Sequence, residues 1–133
     1  MFAPKTRNSG RPLALIVDDS EQVCRDARRI VEELGFEARA AKDAEVALKL
    51  CRDEMPILVL LDWIMPGMSG LDFLHALRAL PEAGKATVIF LSGNGRARDI
   101  DLAMRSGASE YLMKPFDPDL IAFKLAQVGL LAA

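Results

Sequence analysis

Apolar positions along this chain follow two rhythms. Leu13–Val17, Ile57–Leu61 and Thr87–Leu91 are short runs with almost no polar alternation, which predicts strands covered on both faces. Between and after them, apolar residues recur at helical spacing. One set is Val23, Ala27, Ile30, Val31 and Leu34, and a second is Ala44, Ala47, Leu48 and Cys51. A third is Leu71, Leu74 and Leu77, and a fourth Ile100, Ala103 and Met104. Residues 36–41 predict a weaker second strand, and Tyr111, Leu112 and Met113 a short fifth one. Ser20, Asp43 and Asp117 stand where helices need caps, and Gly35 and Gly107 where helices stop. The last helix is expected to run from Asp117 towards Ala133, and "LPEAGKA" to be turn.

Strand and helix thus alternate five times, which predicts a doubly wound α/β fold, a parallel sheet with helices on both faces. Such sheets bind ligands beyond the carboxyl ends of their strands, near the point where strand order reverses. The residues at those ends are Asp18 and Asp19, Asp62, Ser92, and Lys114 with Pro115. Asp62 is the most conspicuous. It ends the run "ILVLLD", where an isolated buried carboxylate is costly.

With 133 residues the chain fits one domain. Half of it is apolar, 27% is charged and the net charge is −2, so charge does not support nucleic-acid binding. Lys5, Arg7 and Arg11 make residues 1–12 a basic arm, expected to be flexible, and leave −5 for the rest. The arm has no apolar h-region and no later run is long enough to span a membrane, so no membrane insertion and a cytoplasmic location are expected. Cys24 and Cys51 are far apart within helical patterns and are expected to be reduced, packed thiols. His75 lacks neighbours for a soft-metal site and is expected on a solvated helix face. Trp63 admits two readings, core packing or a partly exposed reporter beside Asp62.

Three carboxylates in one crevice raise one another's pKa unless a cation joins them. Oxygen ligands select a hard ion, and a site open to water and phosphoryl oxygens suits Mg²⁺ better than Ca²⁺. Acids after strands also serve simply as helix caps, and Asp18 to Ser20 taken alone fit that role equally well.

"LIVDDS", "VLLDWIMPGMSGLDFL", "IFLSG" and "YLMKPF", in this order and spacing, resemble the receiver domain of two-component response regulators, the family of the chemotaxis protein CheY. The resemblance spans about residues 13–130 and makes residues 13–133 the expected receiver domain. It implies five parallel strands in the order 2-1-3-4-5 with five helices. It also implies that Asp62 is phosphorylated from a histidine kinase or histidine phosphotransfer protein. Mg²⁺, with Mn²⁺ as a substitute, is then held by Asp19, Asp62 and the Ile64 backbone carbonyl, and by Asp18 through water. Lys114 pairs with the acyl phosphate, Ser92 donates to a phosphoryl oxygen, and Tyr111 is an aromatic switch. Lys114-Pro115 is implied to be a cis junction.

The output expected is contact with a downstream protein target through the fourth helix, fifth strand and fifth helix, with the chain a monomer or a weak phosphorylation-dependent dimer. No room is expected for a further output module. Phe116, Leu120 and Phe123 are expected partly in the core, and any left exposed to meet a partner. Ile64, two residues after Asp62, stands where many relatives carry a polar side chain and is expected to slow loss of the phosphate. Asn94 borders the same path. A haloacid-dehalogenase-like phosphatase is the alternative, but it needs an acid at position 64 and places its acidic pair last rather than first. Flavin-phosphate binding fails on the repulsion by Asp18 and Asp19, and "SGNGRA" is an incomplete nucleotide loop after the wrong strand.

Overall fold

A computed structural model describes residues 10–65, 67–93 and 97–131. The first nine residues of the basic arm and residues 94–96 of the "SGNGRA" loop, Asn94 among them, lie outside these. The elements are β1 (Leu13–Val17), α1 (Glu21–Glu33), β2 (Glu37–Ala41), α2 (Ala44–Asp53), β3 (Leu58–Asp62) and α3 (Gly70–Arg78). They continue with a 3₁₀ turn (Ala83–Lys85), β4 (Thr87–Ser92), α4 (Ala97–Arg105), β5 (Glu110–Met113) and α5 (Pro118–Gln127). The sheet has five strands in the order β2-β1-β3-β4-β5, and every pairing is parallel.

Side-chain alternation assigns each central strand to two cores. Leu15, Val17, Val59, Leu61, Val88 and Phe90 face the layer of α2, α3 and α4, where Phe73, Leu74 and Leu77 are buried. Ala14, Ile16, Leu58, Leu60, Ile89 and Leu91 face α1 and α5, packing with Ile30, Val31, Ile121 and Leu125. β1 and β3 are therefore buried along their whole length, whereas the edge strands β2 and β5 are only partly covered.

Four helices begin on a side-chain cap whose oxygen accepts from an amide of the first turn: Ser20 from Val23, Asp43 from Val46, Ser69 from Asp72 and Asp117 from Leu120. Gly35 and Gly107 have φ of 107° and 117°, the left-handed geometry that stops α1 and follows α4.

Several boundaries differ from the sequence expectation; among them, the starts of β2, β3 and β5 each move by one residue. β3 and β4 each run one residue further, to Asp62 and Ser92, because ladder bonding continues past the last apolar side chain. α5 ends at Gln127 instead of approaching Ala133, since Gly129 turns left-handed at φ 85° and Leu130 N–H bonds back to the Leu125 carbonyl at 2.9 Å. "LPEAGKA" contains the 3₁₀ turn, entered through Glu82 at φ 66°.

Candidate functional site

The order reverses between β1 and β3, and Asp18 and Asp62 lie at the carboxyl ends of those strands. Asp18 is fully buried. Its N–H donates to the Ala41 carbonyl at 3.1 Å and its Oδ1 accepts from the Ser20 N–H at 2.9 Å. The Cys24 thiol donates to its backbone carbonyl at 3.2 Å. Ser20, not either aspartate, is the side-chain cap of α1, so both acids are released from that duty.

Asp62 is 6% exposed as the last residue of β3, with β4 beside it at Leu91. Lys114 reaches in from the end of β5, its Nζ 2.8 Å from Asp18 Oδ2 and 3.2 Å from Asp62 Oδ1. The approach to Asp18 is close but poorly aligned. Among the described residues, Asp18 Oδ2 is the one buried side-chain oxygen or nitrogen with no hydrogen bond of good geometry. Lys114 follows β5 directly; its N–H donates to the Ser92 carbonyl at 2.8 Å, and the Lys114-Pro115 bond is cis.

The electrostatics follow from burial and these contacts. Burial, then the neighbouring Asp18 charge, pushes the Asp62 carboxyl up to about 6, against the opposing pull of Lys114 and the Ile64 backbone N–H. Burial disfavours the Lys114 ammonium, but the Asp18 and Asp62 carboxylates outweigh it and hold the Lys114 pKa above its ordinary value. One ammonium is therefore shared by two buried carboxylates.

Asp18, Asp19 and Asp62 each bring a carboxylate oxygen within 4.8 Å of the other two, with Asp19 exposed. An all-oxygen set with one member open to solvent and one poorly satisfied buried oxygen fits a hard divalent cation. Nitrogen and sulfur ligands are not in the set.

The structure thus brings Asp18, Asp19, Asp62 and Lys114 together, with Ser92 buried at the adjacent end of β4. Ile64 adjoins the cluster, its side chain 69% exposed. Tyr111 is not in the cluster. It sits on β5 opposite Phe90, packed on the core under Lys124, whose Nζ is 5.0 Å from its ring centre. Trp63 satisfies both readings in part, since it is half-buried with its ring edge-on to Phe90 at 4.6 Å. Both cysteines are free and buried, and His75 is exposed on α3, away from any ligand set.

Two residues of structural weight escaped the sequence reading. Gly70 is buried against the Asp62 backbone, and its only sequence signal is a glycine directly after the Ser69 cap. Arg78 donates to the carbonyls of Ala83, Ala86 and Gly107 at 2.7–3.1 Å, contacts no local pattern reveals.

The geometry has counterparts. A family profile described as the response regulator receiver domain matches residues 14–126. The DNA-binding response regulator MtrA of Mycobacterium tuberculosis is 35% identical over 113 residues, 84% of this chain and 48% of its own length. The phosphate regulon transcriptional regulatory protein PhoB of Klebsiella pneumoniae is 30% identical over 114 residues, 86% of this chain and 50% of its own. The chain spans about half the length of these curated relatives. Among solved structures, the chemotaxis protein CheY4 of Vibrio cholerae superposes with a TM-score of 0.84 at 24% identity, over 89% of this chain and 98% of that one. A CheY-like receiver domain protein of Methanospirillum hungatei superposes with a TM-score of 0.79 at 27% identity, over 89% and 93%. On the profile match and these relatives, the chain belongs to the response regulator receiver domain family of two-component signalling.

Proposed function

We propose that this protein is a phosphorylatable switch in which Asp62 accepts a phosphoryl group from the phosphohistidine of a histidine kinase or histidine phosphotransfer protein. The supporting observation is the buried Asp62 carboxylate at the end of β3, sharing Lys114 with Asp18 at the strand-order reversal. At neutral pH a carboxyl with a pKa near 6 is mostly ionised, yet it is poorly solvated, which suits a nucleophile. An Asp62 oxygen forms the new bond to phosphorus as the donor's P–N bond breaks, its electron pair going to the imidazole nitrogen.

Asp19, Asp62 and the Ile64 carbonyl would hold Mg²⁺, with Asp18 acting through water. The bound ion supplies charge neutralisation to the phosphoryl oxygens. Lys114 exchanges one carboxylate partner for a phosphoryl oxygen, and Ser92 donates its hydroxyl to another, each a charge-assisted hydrogen bond. Ser92 drawn inward opens room for Tyr111 to turn, which alters the α4–β5–α5 face. Leu102 and Met104 on α4, Met113 on β5 and Phe123 on α5 are exposed apolar side chains of these three elements, of a kind suited to a protein target. The names of MtrA and PhoB describe whole proteins of which this chain covers about half, so the DNA binding in MtrA's name is not carried over to it, and the output proposed for this domain is protein contact.

Labelling from acetyl phosphate with Mg²⁺ tests the reading. Wild type is expected to take up one phosphoryl group, lost on chelation of the metal before the reaction, and Asp62→Asn to take up none. Equal Mg²⁺-dependent labelling of both proteins overturns the assignment of Asp62.

A further inference from the structure

A glycine opens α3 where a better helix former is available. Gly70 directly follows the Ser69 cap, and its φ is not in the left-handed region, so alanine meets no backbone penalty there and favours the helix more. What the position uses is space. A β-carbon on Gly70 meets the backbone carbonyl oxygen of Asp62 closer than real β-carbons ever approach, and lies 3.0 Å from both the Cα and the carbonyl oxygen of Trp63. All three are backbone atoms, so no rotamer change relieves the clash. Gly70 N–H also donates to the Trp63 carbonyl at 3.2 Å, closing the loop between β3 and α3.

Both sides of this contact are held from behind, but unequally. α3 is seated by fully buried Phe73, Leu74 and Leu77, and by the Arg78 guanidinium gripping three carbonyls at its far end. The Asp62–Trp63 backbone is held on its other side by β4, through the Trp63 N–H to the Leu91 carbonyl at 3.0 Å, and Ile64 and Met65 beyond it belong to no helix or strand. A methyl at position 70 therefore displaces the 62–64 segment rather than α3. That segment carries the Asp62 carboxylate and the Ile64 N–H that faces it.

We propose that Gly70 is a positioning residue, whose bare Cα lets α3 seat on the Asp62–Trp63 backbone and so sets where the Asp62 carboxylate and the Ile64 carbonyl point. What those two groups then bind rests on the function proposed above; the seating does not. The test compares wild type, Gly70→Ala and Ser69→Ala as full chains. It reads backbone amide chemical shifts, Mg²⁺ titration of the single tryptophan, Trp63, and thermal unfolding.

Gly70→Ala is expected to stay folded, with its amide shifts concentrated at Asp62, Trp63 and Ile64 and Mg²⁺ affinity weakened by about tenfold or more. Ser69→Ala removes the cap of α3 without adding an atom against Asp62; it is expected to unfold at a lower temperature with Mg²⁺ affinity within about twofold of wild type. Unmoved 62–64 amides with affinity within about twofold of wild type in Gly70→Ala overturn the proposal. So does a Gly70→Ala chain that fails to fold even with a stabilising osmolyte, because the position then serves folding and not placement. If wild type gives no Mg²⁺ response, the metal-dependent reading fails instead, and the amide shifts alone decide Gly70: displaced they support it, unmoved they overturn it.

Discussion

Replacing Asp62 by asparagine is expected to stabilise the metal-free protein at neutral pH. The carboxyl is raised from an ordinary 3.8 to about 6, chiefly by burial and then by Asp18. Holding it ionised in the folded state therefore costs about 3 kcal/mol relative to the unfolded chain. That cost already includes the attraction of Lys114 and the Ile64 N–H, so removing the charge forfeits neither in addition. Asparagine keeps the shape and still accepts from Lys114, so the expected gain is roughly 1–3 kcal/mol, or a rise of about 1 M in urea midpoint.

The sign fixes the pH profile. Below 3.8 Asp62 is protonated in both folded and unfolded wild type, and the two proteins converge. As pH rises towards 6 the unfolded state ionises first, and wild type loses stability relative to the variant. Above 6 the gap is constant. Urea melts of both proteins in a chelator, from about pH 4 to about pH 7.5, measure it; shared titrations cancel in the difference. Mg²⁺ at neutral pH is expected to narrow the gap by stabilising wild type alone. A variant no more stable than wild type at neutral pH, or a gap that persists at low pH, refutes the reasoning.

Three further substitutions separate the other roles. Ile64→Asn, at a residue 69% exposed beside Asp62, the proposed phosphoacceptor, is expected to lose phosphate at least about threefold faster than wild type, roughly 0.7 kcal/mol of barrier, measured as decay of label. Phe73→Ala empties a fully buried site between α3 and the sheet and is expected to cost roughly 3–5 kcal/mol in denaturant melts. Phe123→Ala, at a side chain 59% exposed on α5, is expected to change stability by less than about 0.5 kcal/mol. It is also expected to weaken capture of a phosphorylation-dependent partner by about tenfold in a pull-down.

The fold was legible because the runs in β1, β3 and β4 are buried on both faces, and a doubly covered strand has to be apolar throughout. The errors at the ends of β3 and β4 share a cause. Side-chain polarity marks where burial of apolar surface stops, while strands end where backbone pairing stops, and at Asp62 and Ser92 the two differ by one residue. For α5 the signal was present in Gly129 but lay inside an apolar stretch, "VGLLAA", that mimics continued helix. At the site, which polar residues gather was readable, because each ends a strand or lies just past one and parallel strands bring those ends together. How they share charge was not. That Lys114 bridges Asp18 and Asp62, and that Asp18 keeps a poorly satisfied oxygen, depends on packing between elements far apart in sequence. Gly70 and Arg78 were missed for the same reason, since their partners are backbone atoms that sequence patterns do not expose.

Those two residues are the first and last of α3, and each is committed at its own end. Gly70 lies on the Asp62 carbonyl, and Arg78 grips the Gly107 carbonyl just before β5. An insertion or deletion of one residue within α3 rotates one end against the other by roughly 100° and changes its length by about 1.5 Å. Either Arg78 then swings off its carbonyls or Gly70 leaves Asp62. The nine residues of α3 are thus a fixed gauge between the carboxylate cluster and the turn into β5, and length variation in this protein has to be accommodated elsewhere.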